Sequence, residues 1–270
     1  MNLKDRVVVV TGAGSGIGRA TALAFAAEGS RVVACDVDQA RLDTLAAELG
    51  DRKLLVKKLD VSDRLAFRLF ADEVHAIAPA ADVVVNNAGV AVGGTFLDTS
   101  LEDWDWLLGV NLRGVVHGCH FFIPKMVARG AGGHVVNISS ILGIFPAPNV
   151  TAYVASKFAV RGLSLSLRQE LAPHKIGVTA ICPGMIATQI VADGRMTGTQ
   201  MTARKTKVVD AFKRGLPPAK VAQAIVEAVR TNPAVRPVGY DAHVIAALQR
   251  VAPRTLNALA AQVQRRFGAG

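Results

Sequence analysis

Acidic residues almost disappear from the last quarter of this 270-residue chain, aromatics make up only 5% of it, and cysteine occurs three times. Each scarcity excludes something. Cys35, Cys119 and Cys182 are far apart and each lies in an apolar stretch, so the expectation is reduced core thiols in a reducing compartment, not a disulfide framework. With so few aromatics there is no base-stacking cluster, and no nucleic-acid recognition motif is present, so nucleic acid is not an expected partner. No apolar run reaches the roughly 18 residues of a membrane-spanning helix. Met1 to Arg6 leads into a short valine run without the apolar core or small-residue cleavage site of a secretory leader, which predicts a cytoplasmic protein.

Half of the residues, 51%, are hydrophobic, enough to build a large core from Val, Ala, Leu and Ile. The net charge of +10 is unevenly spread: residues 195–270 hold 13 Lys/Arg against only Asp210, Glu227 and Asp241, whereas the preceding residues balance. Short Val/Ile-rich runs near 7–11, 31–35, 53–59, 82–86, 133–138, 176–182 and 235–239 alternate with helical periodicity near 16–28, 39–49, 63–77, 101–128, 151–172 and 217–230. That alternation predicts an α/β fold, a Rossmann-type doubly wound parallel sheet of about seven strands with helices on both faces, forming one domain over 1–240. Residues 185–215, rich in Met, Thr and Gly, read as a mobile substrate lid. Residues 241–270 read as a basic, amphipathic helical extension, with Leu256, Leu259, Ala260, Val263 and Phe267 recurring at helical spacing.

The first strand ends in Thr11-Gly12-Ala13-Gly14-Ser15-Gly16-Ile17-Gly18. Glycines at a strand-to-helix junction let the backbone turn tightly and approach a pyrophosphate, and the helix N-terminus behind them offers free N–H groups. Taken alone, the loop fits a plain tight turn equally well. The second strand ends at Asp36, about twenty residues further on, where a carboxylate can accept both ribose hydroxyls of adenosine and repel a 2′-phosphate; this favours NAD, with NADP the lesser alternative. Asp36 as an ordinary polar cap is the competing reading. Tyr153 and Lys157 are four residues apart, on one helix face, where an ammonium and a cationic nicotinamide would favour the phenolate and bring it toward a useful range for proton transfer. By itself such a pair also suits a solvated helix surface.

Together, the glycine loop, Asp60-Val61, Asn86-Asn87-Ala88-Gly89, Asn111, Ile138-Ser139-Ser140, Tyr153 with Lys157, and Pro183-Gly184 resemble the short-chain dehydrogenase/reductase family in order and spacing over about residues 4–190. The resemblance implies that Tyr153 exchanges the proton at the substrate oxygen while Ser140 hydrogen-bonds that oxygen. It also implies that Lys157 binds the nicotinamide ribose, and that Asn111 holds a water linking Lys157 to solvent. Gly12, Ser15, Gly16, Ile17 and Gly18 would cradle the pyrophosphate, and Asp60 and Val61 would flank the adenine. Asn87, Ala88 and Gly89 would line the cofactor, and Ile186 and Thr188 after Pro183-Gly184 would meet the carboxamide. No metal is implied. His117 and His120, three apart on one helix, lack a third ligand nearby and read as packing or hydrogen-bonding residues.

Val90, Ala91, Val92, Ile141, Leu142, Ile144, Phe145 and Met185 beside these groups are apolar, so a hydrophobic secondary alcohol or ketone, steroid- or lipid-like, is the expected substrate. The alternative is a ketoacyl-thioester reductase (on acyl carrier protein or CoA), whose acidic carrier would suit the basic surface but whose usual NADPH would not suit Asp36. A non-catalytic NAD-binding scaffold fits the Ser140, Tyr153 and Lys157 set poorly. The family's habit of pairing subunits through the helices containing Asn111 and Tyr153 implies a homo-oligomer, dimer or tetramer. The basic extension either docks its apolar side on its own subunit or rests peripherally on an anionic membrane.

Overall fold

The computed structural model describes residues 1–254, the side chain of Gln200 excepted. In chain order its elements are β1 (Val7–Thr11), α1 (Gly16–Ala27), β2 (Arg31–Asp36), α2 (Gln39–Leu49), β3 (Lys53–Lys58), α3 (Arg64–Ile77), β4 (Val83–Asn86), β5 (Val92–Gly93) and α4 (Leu101–Leu108). There follow α5 (Gly114–Arg129), β6 (Gly133–Ile138), α6 (Thr151–Leu171), β7 (Ile176–Pro183), β8 (Arg195–Met196), α7 (Thr199–Lys213), α8 (Pro218–Thr231), β9 (Val235–Val238) and α9 (Tyr240–Val251). Seven strands form one sheet in the order β3-β2-β1-β4-β6-β7-β9, every neighbouring pair parallel. The chain winds outward from β1 to β3 and then returns to place β4 against the other side of β1. Such a reversal opens a crevice beyond the carboxyl ends of the strands.

The strands are valine-rich because both faces of the sheet are covered. Alternate residues divide between two cores. Val8, Val10, Val32, Ala34, Val83 and Val85 pack with Ala22 and Phe25 of α1, Leu45 and Leu49 of α2 and Ile225 of α8. Val7, Val9, Val33, Val84 and Val135 pack with Phe67 and Phe70 of α3, Phe122 and Met126 of α5 and Val160 of α6. In the second core Phe67, Phe70 and Phe122 meet edge to face. All three cysteines are buried and unbridged, and burial raises each thiol above its ordinary range.

At the amino end of β4, opposite the crevice, buried Asp82 gathers three donors. Arg6 Nη1 lies at 3.0 Å, Arg129 Nη1 at 2.9 Å and the Val7 backbone N–H at 2.9 Å. Removing the carboxylate strands these donors in a partly buried setting, so Asp82→Ala is expected to cost on the order of 3 kcal/mol. A urea denaturation midpoint checks this, and a loss below about 1 kcal/mol would count against the network as a stabilising element.

Two elements differ from expectation. The single helix read over 101–128 is α4 and α5 joined by one π-helical turn, Gly109–Arg113. Gly109 and Gly114 bracket that turn because neighbouring chain comes close: a methyl on Gly114 would meet Val61 Cγ2 at 2.7 Å. Residues 185–215, which show no strand period in sequence, contain β8, paired with β5, and the 15-residue α7. The first part of the C-terminal extension forms α9, whose apolar side is only half covered: Val244, Leu248 and Val251 stay exposed and Ala242 is buried. The second part, with Leu256, Leu259, Ala260, Val263 and Phe267, lies outside the described residues. No helix among the described residues is long and apolar enough to cross a membrane.

Candidate active site

A cavity of about 670 Å³ runs along the carboxyl ends of the strands. At one end lie Gly12, Ser15, Gly16, Ile17, Asp36, Asp60 and Val61; in the middle, Asn87, Ala88 and Gly89; at the other end, Ser140, Tyr153, Lys157, Pro183, Gly184 and Ile186. Thr188, also in the wall, reaches back over the glycine loop, where a Cβ on Gly16 would meet its Cγ2 at 3.1 Å. Of the site residues expected from sequence, Gly18 and Asn111 stand behind the wall instead of in it. Gly18 is buried where a Cβ would lie 2.1 Å from the Gly12 carbonyl oxygen, so its lack of a side chain serves the packing of α1 against the loop.

The cofactor end is built from backbone. Gly12 and Gly16 have φ of +62° and +52°, in the left-handed region that a side chain would strain. At Gly12 a Cβ would also meet the Ala88 Cα at 2.7 Å. Ser15, at the N-cap of α1, makes no side-chain cap bond to the first turn, and Ser15, Gly16 and Ile17 line the cavity. Asp36 is positioned by N–H donors, from Gly14 at 2.8 Å and Asp38 at 3.0 Å. Asn87 clasps the loop from the far side, donating from Nδ2 to Thr11 O at 2.9 Å and Gly12 O at 3.0 Å. Asp60 Oδ1 accepts from Ser62 N and Oγ, which fixes the turn after β3. A helix N-terminus, a glycine cradle and a carboxylate fixed beside them by the Gly14 and Asp38 N–H groups fit a nicotinamide dinucleotide laid along this cavity.

The other end is held by side chains. Asn111, in the π turn and fully buried, pairs with the Val90 backbone in both directions, Oδ1 accepting at 2.8 Å and Nδ2 donating at 2.9 Å. Its Nδ2 also donates to Ser156 Oγ at 3.2 Å. The widened turn is what swings this amide off the helix and onto the strand end, as π turns often do at functional positions. Lys157, buried on α6, donates from Nζ to Ile138 O at 3.0 Å, and its Nζ lies 5.4 Å from the centre of the Tyr153 ring. Gly89 separates Asn111 from Lys157: a Cβ there would meet Asn111 Oδ1 at 3.4 Å and Lys157 Nζ at 3.5 Å. Ser140 Oγ accepts from Leu142 N at 3.1 Å, while Ser139 turns away to donate to Lys157 O at 2.8 Å, which separates the roles of the two adjacent serines.

Burial shifts both members of the Tyr153 and Lys157 pair. Tyr153 keeps part of its ring open to the cavity, yet enclosure pushes its phenol up to about 12, and only the hydrogen bond with Ser140 works in the opposite direction. Burial likewise pushes Lys157 down to about 8. The protein's own groups therefore do not lower the phenol; desolvation outweighs them.

Arg41, Asp241 and Trp106 are among the wall residues that sequence motifs do not mark. Arg41 lines the Asp36 end, paired through Nε with Asp38 Oδ2 at 3.1 Å and through Nη1 with Asp193 Oδ2 at 3.2 Å. Asp241, on α9, accepts from Met185 N at 2.9 Å and occupies the space that a side chain on Gly184 would need. Trp106, on α4, lines the opposite end. Arg41 and Asp241 had no sequence signal beyond charge, because Asp193 and Met185, which tie them to the 185–215 segment, are far away in the chain. His117 is a packing residue, its Nδ1 2.9 Å from Val61 O, and His120 stacks edge-on against Phe121. Among the described residues no group of three or more His, Cys, Asp or Glu is placed to hold a metal.

The family model for short chain dehydrogenases matches residues 6–198. The protein of Mycobacterium tuberculosis named "Probable oxidoreductase EphD" is 44% identical over 264 residues, 95% of this chain, although the chain spans only 45% of that relative's length. The 3-oxoacyl-[acyl-carrier-protein] reductase FabG of Thermotoga maritima is 38% identical over 190 residues, 70% of this chain and 77% of the relative. The crystal structure of a short chain dehydrogenase/reductase from Burkholderia phymatum in complex with NAD superposes with a TM-score of 0.86 at 28% identity, covering 93% of this chain and 94% of that one. With the parallel seven-stranded sheet and the glycine-cradled cavity, these likenesses place the chain in the short-chain dehydrogenase/reductase family of oxidoreductases.

Proposed function

We propose that this oxidoreductase interconverts a hydrophobic secondary alcohol and its ketone, of steroid- or lipid-like character, with NAD as its cofactor and Tyr153 as its acid and base. The observation that carries the reading is one continuous cavity with Asp36 and the glycine loop at one end and Ser140, Tyr153 and Lys157 at the other, the latter among apolar side chains. Bound there, the dinucleotide supplies the hydride acceptor for oxidation and the donor for reduction. In oxidation the Tyr153 oxygen accepts the proton of the substrate hydroxyl, and in reduction it returns one to the carbonyl oxygen. Ser140 donates a hydrogen bond to that same oxygen and stabilises the charge that gathers on it. Lys157 would hold the nicotinamide ribose, and Asn111 would keep a water behind it as the route for protons.

Asp36 supports NAD over NADP, since its fixed carboxylate would repel a 2′-phosphate and the nearby Arg41 is already paired with Asp38 and Asp193. A screen of apolar alcohols and ketones with both cofactors, followed by cofactor absorbance, tests the proposal. Wild type is expected to prefer NAD, and Asp36→Ser to improve kcat/KM for NADP about tenfold or more, the scale of removing one like-charge repulsion of about 1.4 kcal/mol. A wild-type preference for NADP would reject the cofactor assignment, and no turnover of any alcohol or ketone would reject the activity. The likeness to an acyl-carrier-protein reductase keeps a ketoacyl thioester as the second reading, favoured if such a thioester outpaces every simple ketone. Val116 on α5 and Phe158 on α6 remain exposed, which supports pairing of subunits through those helices. Residues 185–215 supply much of the cavity's apolar roof and would open and close as its lid.

A further inference from the structure

Trp106 occupies the last turn of α4, lines the substrate end of the cavity and belongs to a small apolar cluster with Val92, Ala152 and Tyr153. Arg195 of β8 lays its guanidinium on the indole, Cζ standing 3.9 Å from the ring centre. The same guanidinium donates from Nη1 to Asp103 Oδ1 at 2.8 Å, one turn earlier on α4. Trp106 is part of the cavity wall and Arg195 is not, so the cation braces the ring from outside while the cavity meets it from within. The backbone around Arg195 is fastened as well: its N–H donates to Ala91 O at 3.0 Å, and that of Thr197 donates to Gly93 O at 2.8 Å. Next along β8, Met196 places its sulfur over Gly93, where a Cβ would come within 2.6 Å of it, and Met201 lies alongside, both in the cavity wall.

These parts of the wall differ in stiffness. Methionine thioethers adjust to whatever shape enters, whereas an indole clamped between a guanidinium and the protein cannot. We propose that Trp106 sets which apolar substrates the site accepts, and that Arg195, held by Asp103, is the positioning residue that fixes the indole and ties the 185–215 segment to α4. This inference rests on the reading of the cavity as a site for apolar alcohols and ketones. Neither residue touches the reacting oxygen in this scheme, so their replacement should alter selection between substrates more than the chemical step.

The test is a series of ketones that differ only in bulk beyond the carbonyl. In Trp106→Ala the ratio of kcat/KM for bulky over small ketones is expected to rise at least about tenfold, the scale of opening or closing space for one or two methylenes. Trp106→Phe, which keeps an aromatic wall, should shift the ratio the same way by less. Arg195→Met should raise the ratio severalfold through KM with kcat nearly unchanged, and Arg195→Lys, which restores a cation over the ring, should return it toward wild type. An unchanged ratio in folded Trp106→Ala and Trp106→Phe proteins overturns the proposal, as does Arg195→Met with a loss of kcat and no change in ratio. Trp104→Phe leaves Trp106 as the sole tryptophan, whose emission should respond when an apolar ketone binds. If wild type turns over no ketone yet this emission responds and differs between bulky and small ketones, the proposed activity fails and Trp106 keeps its selecting role. If ketones are turned over while emission and ratio stay unmoved, the role of Trp106 fails and the activity stands.

Discussion

Tyr153→Phe is expected to lower turnover about a thousandfold, the middle of the range for a positioned acid/base group, while leaving NAD affinity within a few-fold of wild type. The variant removes only the hydroxyl, and the ring that packs with Val92, Trp106 and Ala152 is retained, so folding should be unaffected. Ser140→Ala should fall about a hundredfold, since it removes one hydrogen bond to the developing charge and leaves the proton relay in place. The protonation state of Tyr153 gives an independent check. The chain has two tyrosines, and Tyr240 is 86% exposed, so a Tyr240→Phe protein reports Tyr153 alone through tyrosinate absorbance. Without cofactor the phenol should titrate high, toward about 12, because burial dominates. Adding NAD should move the titration downward, since a cationic ring favours phenolate in an enclosed site. Undiminished turnover in Tyr153→Phe would refute the mechanism, and a phenol that titrates near its ordinary value without cofactor would refute the account of burial.

The strands and the glycine loop were legible in sequence for a local reason: a strand covered on both faces must be continuously apolar, and a chain passing within reach of another backbone must use glycine. Val7–Thr11 followed by Gly12 and Gly16 carries both signals within ten residues. The break in the helix near Asn111 left no such trace. Gly109 and Gly114 flank it, but glycine inside a helical pattern also occurs without any turn, and what demands the π turn is the Val90 backbone some twenty residues earlier. The same holds for α7. Its Met201, Val208 and Phe212 face a cavity whose other walls come from distant parts of the chain, so the apolar stripe could be recognised only once those walls were in place. Asn111 was found by family resemblance and Trp106 was not found at all, because its pairing with Arg195 spans the whole distance between α4 and β8. Charge was the least transferable inference. Four-residue spacing correctly places Lys157 beside Tyr153, yet spacing carries no information about desolvation, which raises the phenol and depresses the amine.

That depressed amine implies an unusual outcome for Lys157→Met: an enzyme nearly without activity that is more stable than wild type near neutral pH. Lys157 is 3% exposed and its ammonium has Ile138 O as its hydrogen-bonded acceptor, so folding takes a charged group out of water with little in return. Burial lowers its pKa from 10.5 to about 8, which makes the charged form cost on the order of 3 kcal/mol at pH 7. Methionine fills similar space without the charge, and leaving the Ile138 carbonyl unpaired offsets about 1–2 kcal/mol of the gain. The expected net stabilisation is therefore about 1–2 kcal/mol at pH 7. The sign of the pH dependence follows from the direction of the shift. Between about 8 and 10.5 the unfolded lysine is still protonated while the folded one is not. The wild-type protein accordingly gains stability relative to the variant as pH rises through that window, and the advantage of Lys157→Met should shrink. Urea denaturation at neutral pH and again near pH 9 measures both quantities. A variant less stable than wild type at neutral pH, or an advantage that does not narrow as pH rises, would show that the buried ammonium is better solvated than its surroundings imply. The expected result would instead mark Lys157 as a residue kept at the expense of stability because the proton chemistry at Tyr153 requires it.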